Sequence, residues 1–170
     1  MTCRIGFVLV ALLVVIPVCA QEAGSAHYEH GGQALLPDPN VTPGDAVTTD
    51  AQTVCVPGYA RRERNVPPEV KREAYALYGV HPSTQMRNGK RVRTCCEVDH
   101  LISLELGGSN DIKNLWPEPY LPLPGARQKD VLENWLRKRV CTGKIPLADA
   151  QAMISRDWYQ AYLSMMKKPD

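Results

Sequence analysis

The sequence predicts an α+β domain in which a strand, a loop, a second strand and a helix follow one another, with further helices flanking them and disulfides bracing the whole. Three observations carry this. In residues 91–98, Val92, Thr94, Cys96 and Val98 alternate with Arg91, Arg93, Cys95 and Glu97, the period of two of a half-covered strand. Three later or earlier stretches repeat apolar residues at helical spacing: Val70, Ala74, Leu77 and Tyr78; Val131, Leu132, Trp135, Leu136 and Val140; and Leu147, Ala150, Ile154, Trp158 and Tyr162. Four cysteines, Cys55, Cys95, Cys96 and Cys141, follow an N-terminal segment with the features of an export signal.

That segment covers residues 1–20 of the 170. Arg4 is its basic start, residues 7–16 its apolar run, and Val18-Cys19-Ala20 the small residues before a cleavage point. The run is short and early for a membrane span, an uncleaved anchor being the other reading, and Val18 is a poor neighbour for a lipidated Cys19. Cleavage after Ala20 leaves 150 residues, enough for one compact domain. The mature chain is expected to be secreted or periplasmic, with no stable membrane association once the signal is removed. Residues 21–53, rich in Gly, Pro, Asp and Thr without apolar periodicity, read as a flexible tail or linker, and residues 54–166 as the folded domain. His27 and His30 in that tail are incidental, and Asn40-Val41-Thr42 matches a glycosylation sequon by chance.

Within the domain, Pro67-Pro68 opens the first helix and Gly79 caps it. A turn at Asn88-Gly89 leads into the strand of residues 91–98, and Asp99 and His100 stand at its exit. Residues 101–113 hold Gly107-Gly108 and no regular period, so they form a loop. Residues 114–116 make a short second strand that Pro117 and Pro119 stop. A helix follows over 126–140 with Gly143 beyond its end, and Pro146 opens the last one. Trp135 and Trp158 lie on apolar stripes and belong to the core rather than to base-stacking platforms, and His81 sits in a structural His-Pro turn.

The cysteine spacing contains no Cys-x-x-Cys pair, which argues against a zinc knuckle. Neighbouring side chains on a strand diverge, so Cys95 and Cys96 are expected to pair with Cys55 and Cys141 in one of two connectivities; a single Cys55–Cys141 bridge beside two thiols is the third possibility. Charge alternates in blocks: −5 over residues 21–60, +6 over 61–94, −4 over 95–120 and +4 over 121–144. Basic blocks flanking an acidic centre suit a phosphate-binding surface around a cation site, though on charge alone a solvated mixed-charge face is the favoured reading.

The chemistry concentrates in Glu97-Val98-Asp99-His100-Leu101-Ile102, then Gly107-Gly108-Ser109-Asn110, then Asn114-Leu115-Trp116. Phosphodiester hydrolysis needs a base for water and positive charge for the phosphoryl oxygens, and an adjacent acid and imidazole can divide that labour. The order Asp-His, Gly-Gly, Asn-Leu resembles the HNH endonuclease family over roughly residues 92–140. The stretch from Cys55 to Tyr162 is similar to small exported bacterial proteins that carry this motif, in Asn114-Leu115-Trp116-Pro117 and Lys129-Asp130. The resemblance implies a ββα-metal core. It makes His100 the general base, Asp99 a metal ligand and Asn114 a loop-bracing or ligating member of the site. The family's helix usually places a His or Asn, often near paired cysteines, as the third ligand, and neither a His nor that cysteine pattern occurs here. Asp130 is the expected substitute, with Glu133 and Asn134 sharing its helix face; Lys129 pairing with Glu133 on a solvated face is the other reading. Glu97, on the same strand face as Asp99, is a second candidate ligand, and Arg91 and Arg93 are candidate phosphate clamps.

The expected activity is therefore an exported, metal-dependent endonuclease. Its cofactor is a divalent cation, Mg2+ or Mn2+ ahead of Zn2+ for oxygen-rich ligands, and its partner nucleic acid, DNA ahead of RNA. The alternative is a secreted, disulfide-stabilised binding or structural protein that keeps an HNH-like fold without turnover.

Overall fold

The structure, a computed structural model, describes residues 29–31 and 34–168. The expected signal segment and His27 lie outside the described residues, and of His30 only the backbone, in a strand, is described. In chain order the elements are β1 (Glu29–Gly31), β2 (Ala34–Leu36), α1 (Ala51–Val54), α2 (Tyr59–Glu63), α3 (Pro68–Leu77), β3 (Thr84–Arg87), β4 (Lys90–Arg93), β5 (Cys96–His100), β6 (Leu115–Pro119), α4 (Ala126–Cys141) and α5 (Leu147–Lys167). The strands pair as antiparallel couples, β1 with β2, β3 with β4 and β5 with β6, so the fold is mixed α+β as expected. Among the described residues no helix is long and apolar enough to cross a membrane.

The β5–β6 couple and α4 form the centre. Cys96 pairs with Pro119 at one end of the couple and His100 with Leu115 at the other. From α4, Leu132, Leu136 and Val140 are buried against Leu101, Leu106 and Trp116 and against Ala150, Ile154 and Trp158 of α5. Each such aliphatic side chain contributes about 1.5–3 kcal/mol by leaving water. The helical stripes expected from the sequence thus hold, with two exceptions, Leu77 (38% exposed) and Val131. Val131 is 53% exposed, and the wholly buried Lys129 takes its share of the inward face. Part of that face is polar, which an apolar period cannot reveal.

Four further departures have local causes. β6 runs through Pro117 and Pro119 instead of stopping at them. Tyr120 N donates inward to Cys95 O at 3.2 Å, so alternation turns the imino nitrogens of 119 and 117 to the open edge, where no donor is needed. The long strand expected over 91–98 is two strands, β4 and β5, because Cys95 and Cys96 are bonded to each other. Neighbours in an extended strand point to opposite faces, so that bond requires a break in the strand. The second bridge is Cys55–Cys141. Neither expected pairing of Cys95 and Cys96 with Cys55 and Cys141 forms. Finally, β3 has no signal of its own in the sequence; it closes a hairpin with β4 over Asn88 (φ 51°) and Gly89 (φ 70°), the left-handed pair of a tight two-residue turn.

Residues 36–53 are not a loose tail. Thr42 is 1% exposed, its hydroxyl donating to Leu115 O at 3.2 Å and accepting from Tyr78 at 2.7 Å. Gly44 N and Ser109 N bind the backbone of Lys113 and Asp45, so the segment lies along the glycine loop. Its polar composition satisfies backbone groups of the domain, which is why it has no apolar period. Asp50 then caps α1, accepting from Gln52 N at 2.9 Å. α5 breaks at Asp157 (φ −164°, ψ 86°), whose Oδ1 accepts from Gln160 N at 2.9 Å and caps the second half.

Candidate functional site

The glycine loop is built around Asn114. Its Nδ2 donates to Ile102 O and Ser109 O, both at 2.9 Å, while Oδ1 accepts from Ile102 N at 2.8 Å and Asp45 N at 3.3 Å. With both amide atoms consumed and no exposed surface, Asn114 braces the loop and has nothing left for a ligand or substrate. Of the two roles expected for it, the geometry supports bracing alone. Gly108 has to be glycine, since a Cβ there would run into Ile102 O and lie 2.9 Å from the Asn114 amide. The brace sets where β5 ends and β6 begins, and so places Asp99 and His100.

His100 closes β5 and is 3% exposed. Its Nε2 lies 3.1 Å from Asn110 Oδ1, its Nδ1 lies 3.8 Å from Asp99 Oδ1, and its carbonyl accepts from Lys129 Nζ at 2.7 Å. The ring lines a cavity of about 280 Å³ with Arg64, Asn65, Val66, Lys71 and Val98. A base candidate thus opens toward two cationic side chains that neither sequence period nor motif marks.

Beneath His100 stands an ionic cluster centred on the Lys129 ammonium. It reaches Asp99 Oδ2 at 3.3 Å, Glu118 Oε2 at 3.4 Å and Glu133 Oε1 at 2.5 Å. Three carboxylates around one ammonium leave an excess of negative charge, and the acidities answer it. Burial pushes Asp99 up, but Lys129 and then His100 outweigh it and hold the carboxyl well below its ordinary range. Burial pushes Glu118 well above its range, Lys129 opposing and Asp99 adding to the rise. Glu133 is raised to about 7 by burial, again with Lys129 opposing and Asp99 adding. Burial would lower Lys129, yet Glu118, Glu133 and Asp99 raise it well above the ordinary lysine. Asp99 is thus favoured in its ionised form and Lys129 in its charged form, while burial favours a proton on each glutamate. Glu118 Oε1 and Oε2 are buried without a hydrogen bond among the described residues, and Oε2 has the Lys129 ammonium 3.4 Å away.

The expected metal ligands do not converge. Asp130 is exposed and lines a different cavity, of about 400 Å³, with Arg61, Arg64, Glu133 and Asn134. Burial raises its carboxyl, with Asp99 adding and Lys129 opposing. Glu97 pairs across the sheet with Glu118; burial and then Asp99 raise it, while the Tyr120 hydroxyl bonds it and lowers it. Asp99 itself already faces an ammonium. Among the described residues no group of three or more His, Cys, Asp and Glu side chains is arranged to hold a metal ion. Asp99, Asp130 and Glu97 therefore do not fit the divalent cation expected of them: where carboxylates do converge, Lys129 occupies the centre. The Lys129–Glu133 pair weighed from the sequence exists, but buried rather than solvated. Lysine is so seldom buried that its spacing gives no sign of this.

Arg91 and Arg93 do not continue the strand of Asp99. They stand on β4 and line a groove of about 600 Å³ with Arg87, Arg127 and Tyr120. The four guanidiniums make no ion pair with a carboxylate among the described residues, so their charge faces solvent.

What this geometry defines is an α+β domain with a histidine at the mouth of a cationic cavity and a closed ionic cluster behind it. The chain matches no protein-family model, no curated protein and no solved structure.

Proposed function

We propose that this chain is an exported nuclease whose β5–loop–β6–α4 unit serves as an HNH-type ββα core, with His100 as the base that hydrolyses phosphodiester bonds of nucleic acid. The observation that carries the reading is the placement of His100: the motif histidine ends β5, is held by Asn110 at Nε2 and by Lys129 at its carbonyl, and lines a cavity whose other charged walls are Arg64 and Lys71. A phosphodiester seated there would have its oxygens against a guanidinium and an ammonium, and its phosphorus within reach of water activated by the ring. The Arg87–Arg91–Arg93–Arg127 groove would carry the flanking phosphates, giving affinity without sequence preference. The Cys55–Cys141 bridge suits an oxidising compartment and supports the export reading.

The test is direct. The mature, oxidised chain is incubated with plasmid DNA and with a folded RNA, in Mg2+, in Mn2+ and in chelator. Nicking or linearisation that tracks the intact chain and disappears in His100→Ala supports the reading. Tight, salt-sensitive binding to both polymers without any cleavage in all three conditions refutes it in favour of a binding protein on the same fold.

A further inference from the structure

The cleavage reading needs one nitrogen of His100 to be free to take a proton, and the surroundings of the ring decide which. Asn110 lies in the loop between Gly108 and β6, and its amide has two backbone partners besides the ring. Its Nδ2 donates to Glu63 O at 2.7 Å, and its Oδ1 accepts from Asn65 N at 3.3 Å. A carbonyl oxygen can only accept and a backbone N–H can only donate, so these contacts fix which end of the amide faces where. The oxygen is therefore the atom 3.1 Å from His100 Nε2. An amide oxygen has no proton to give, so Nε2 carries the hydrogen in that contact. In neutral imidazole the other nitrogen then holds the lone pair.

Nδ1 has no competing partner of this quality. Asp99 Oδ1 stands 3.8 Å away, beyond a hydrogen bond, and the Asp99 carboxylate is already engaged by Lys129. Asp99 would favour a proton on Nδ1 and Asn110 favours it on Nε2, so the two neighbours oppose each other. Geometry gives the contest to Asn110. The other charges near the ring are Lys129, which binds the His100 carbonyl from α4, and Arg64 and Lys71, which share its cavity.

We propose that Asn110 is a positioning residue that keeps the His100 proton on Nε2 and makes Nδ1 the proton-accepting atom of the site. The role of Nδ1 rests on the nuclease reading; the tautomer does not. In the reaction, water gives one proton to Nδ1 while its oxygen forms the new bond to phosphorus. The bond from phosphorus to the leaving oxygen breaks with its electron pair on that oxygen, which takes a proton from solvent. Asn110 also ties this ring to the end of α2 through Glu63 and to the Asn65 backbone, so the basic segment carrying Arg64 is fixed relative to the base.

The experiment is long-range 1H–15N NMR of the histidine rings in the mature, oxidised chain, with His100 assigned by its loss in His100→Ala. Wild type is expected to show a protonated-type Nε2 and an unprotonated-type Nδ1. Asn110→Ala should move His100 to the opposite or a mixed tautomer and lower kcat about 10–100-fold with KM within about twofold, the scale on which metal-bound histidines lose activity when their orienting partner is removed. Asn110→Asp, which still presents an acceptor to Nε2–H, should keep the wild-type tautomer and recover most of kcat. A wild-type ring protonated on Nδ1, or an Asn110→Ala variant with unchanged tautomer, overturns the proposal even if cleavage is robust. An Asn110-dependent Nε2–H tautomer in a chain that cuts nothing upholds the positioning and counts against the nuclease.

Discussion

Lys129→Met removes the ammonium at the centre of the cluster while keeping nearly the same side-chain volume. Asp99, Glu118 and Glu133 would then face one another with no cation between them, all within the 3.4 Å shell that Lys129 fills today. Deleting one partner of a buried ionic group costs about 3–5 kcal/mol, because the charges left behind have neither water nor counterion. That is a large part of the roughly 5–15 kcal/mol by which a domain is stable, and corresponds to a melting point lowered by roughly 10–20 °C. The loss should depend on pH with a definite sign. Glu133 has a folded-state pKa raised from 4.5 to about 7, so between those values the folded chain binds a proton that the unfolded chain has released. Stability therefore falls as pH rises through this window. Asp99 is held low, is ionised in both states there and adds no slope. Without Lys129 the opposing charge is gone, so the window should extend to higher pH and the slope steepen. Urea unfolding of wild type and Lys129→Met at pH 5 and pH 7, disulfides intact, measures both effects. A loss below about 1 kcal/mol at pH 7, or one equal at the two pH values, would show that the ammonium does not hold these carboxylates together.

The other expectations are simpler. Asn114→Ala deletes four hydrogen bonds to the glycine loop and should cost about 2–4 kcal/mol by orphaning buried backbone groups, with amide exchange accelerating first at Ile102; protection there equal to wild type would contradict the bracing role. Opening Cys55–Cys141, which spans 86 residues, should cost about 2–5 kcal/mol, read by chemical denaturation of Cys55→Ser/Cys141→Ser. Charge reversal at Arg91 and Arg93 should weaken binding to every nucleic-acid sequence alike and flatten its salt dependence, roughly by one unit of log–log slope for each phosphate no longer neutralised; an unchanged slope in filter binding would remove the β4 groove from the substrate path.

Much of the architecture is legible in the sequence because periodicity reports burial. Spacing alone marks Leu132, Leu136, Ile154 and Trp158 as core, and they are core. The Asp-His, Gly-Gly, Asn-Leu order marks the loop that Asn114 braces. The unreadable parts are those where a residue acts against its usual habit. Lys129 is a lysine in the core, Glu118 a buried acid between two prolines in an edge-facing strand, and Cys95–Cys96 a bond between neighbours that normally diverge. The resemblance points to Asp130 as the acid of α4 that serves the site. The helix turns 129 and 133 inward instead, and those four residues of spacing are about one helical turn. Asn110 is visible only as part of a loop motif, because its role depends on Glu63 and Asn65, far away in sequence.

The central claim is that His100 is the base of a phosphodiester-cleaving site, and the single-turnover cleavage rate of His100→Ala against wild type tests it most directly. With nucleic-acid affinity measured in parallel and unchanged, the account predicts a rate lower by about 10²–10⁴, the contribution of a positioned general base. A His100→Ala variant that binds and cuts as wild type does would contradict it.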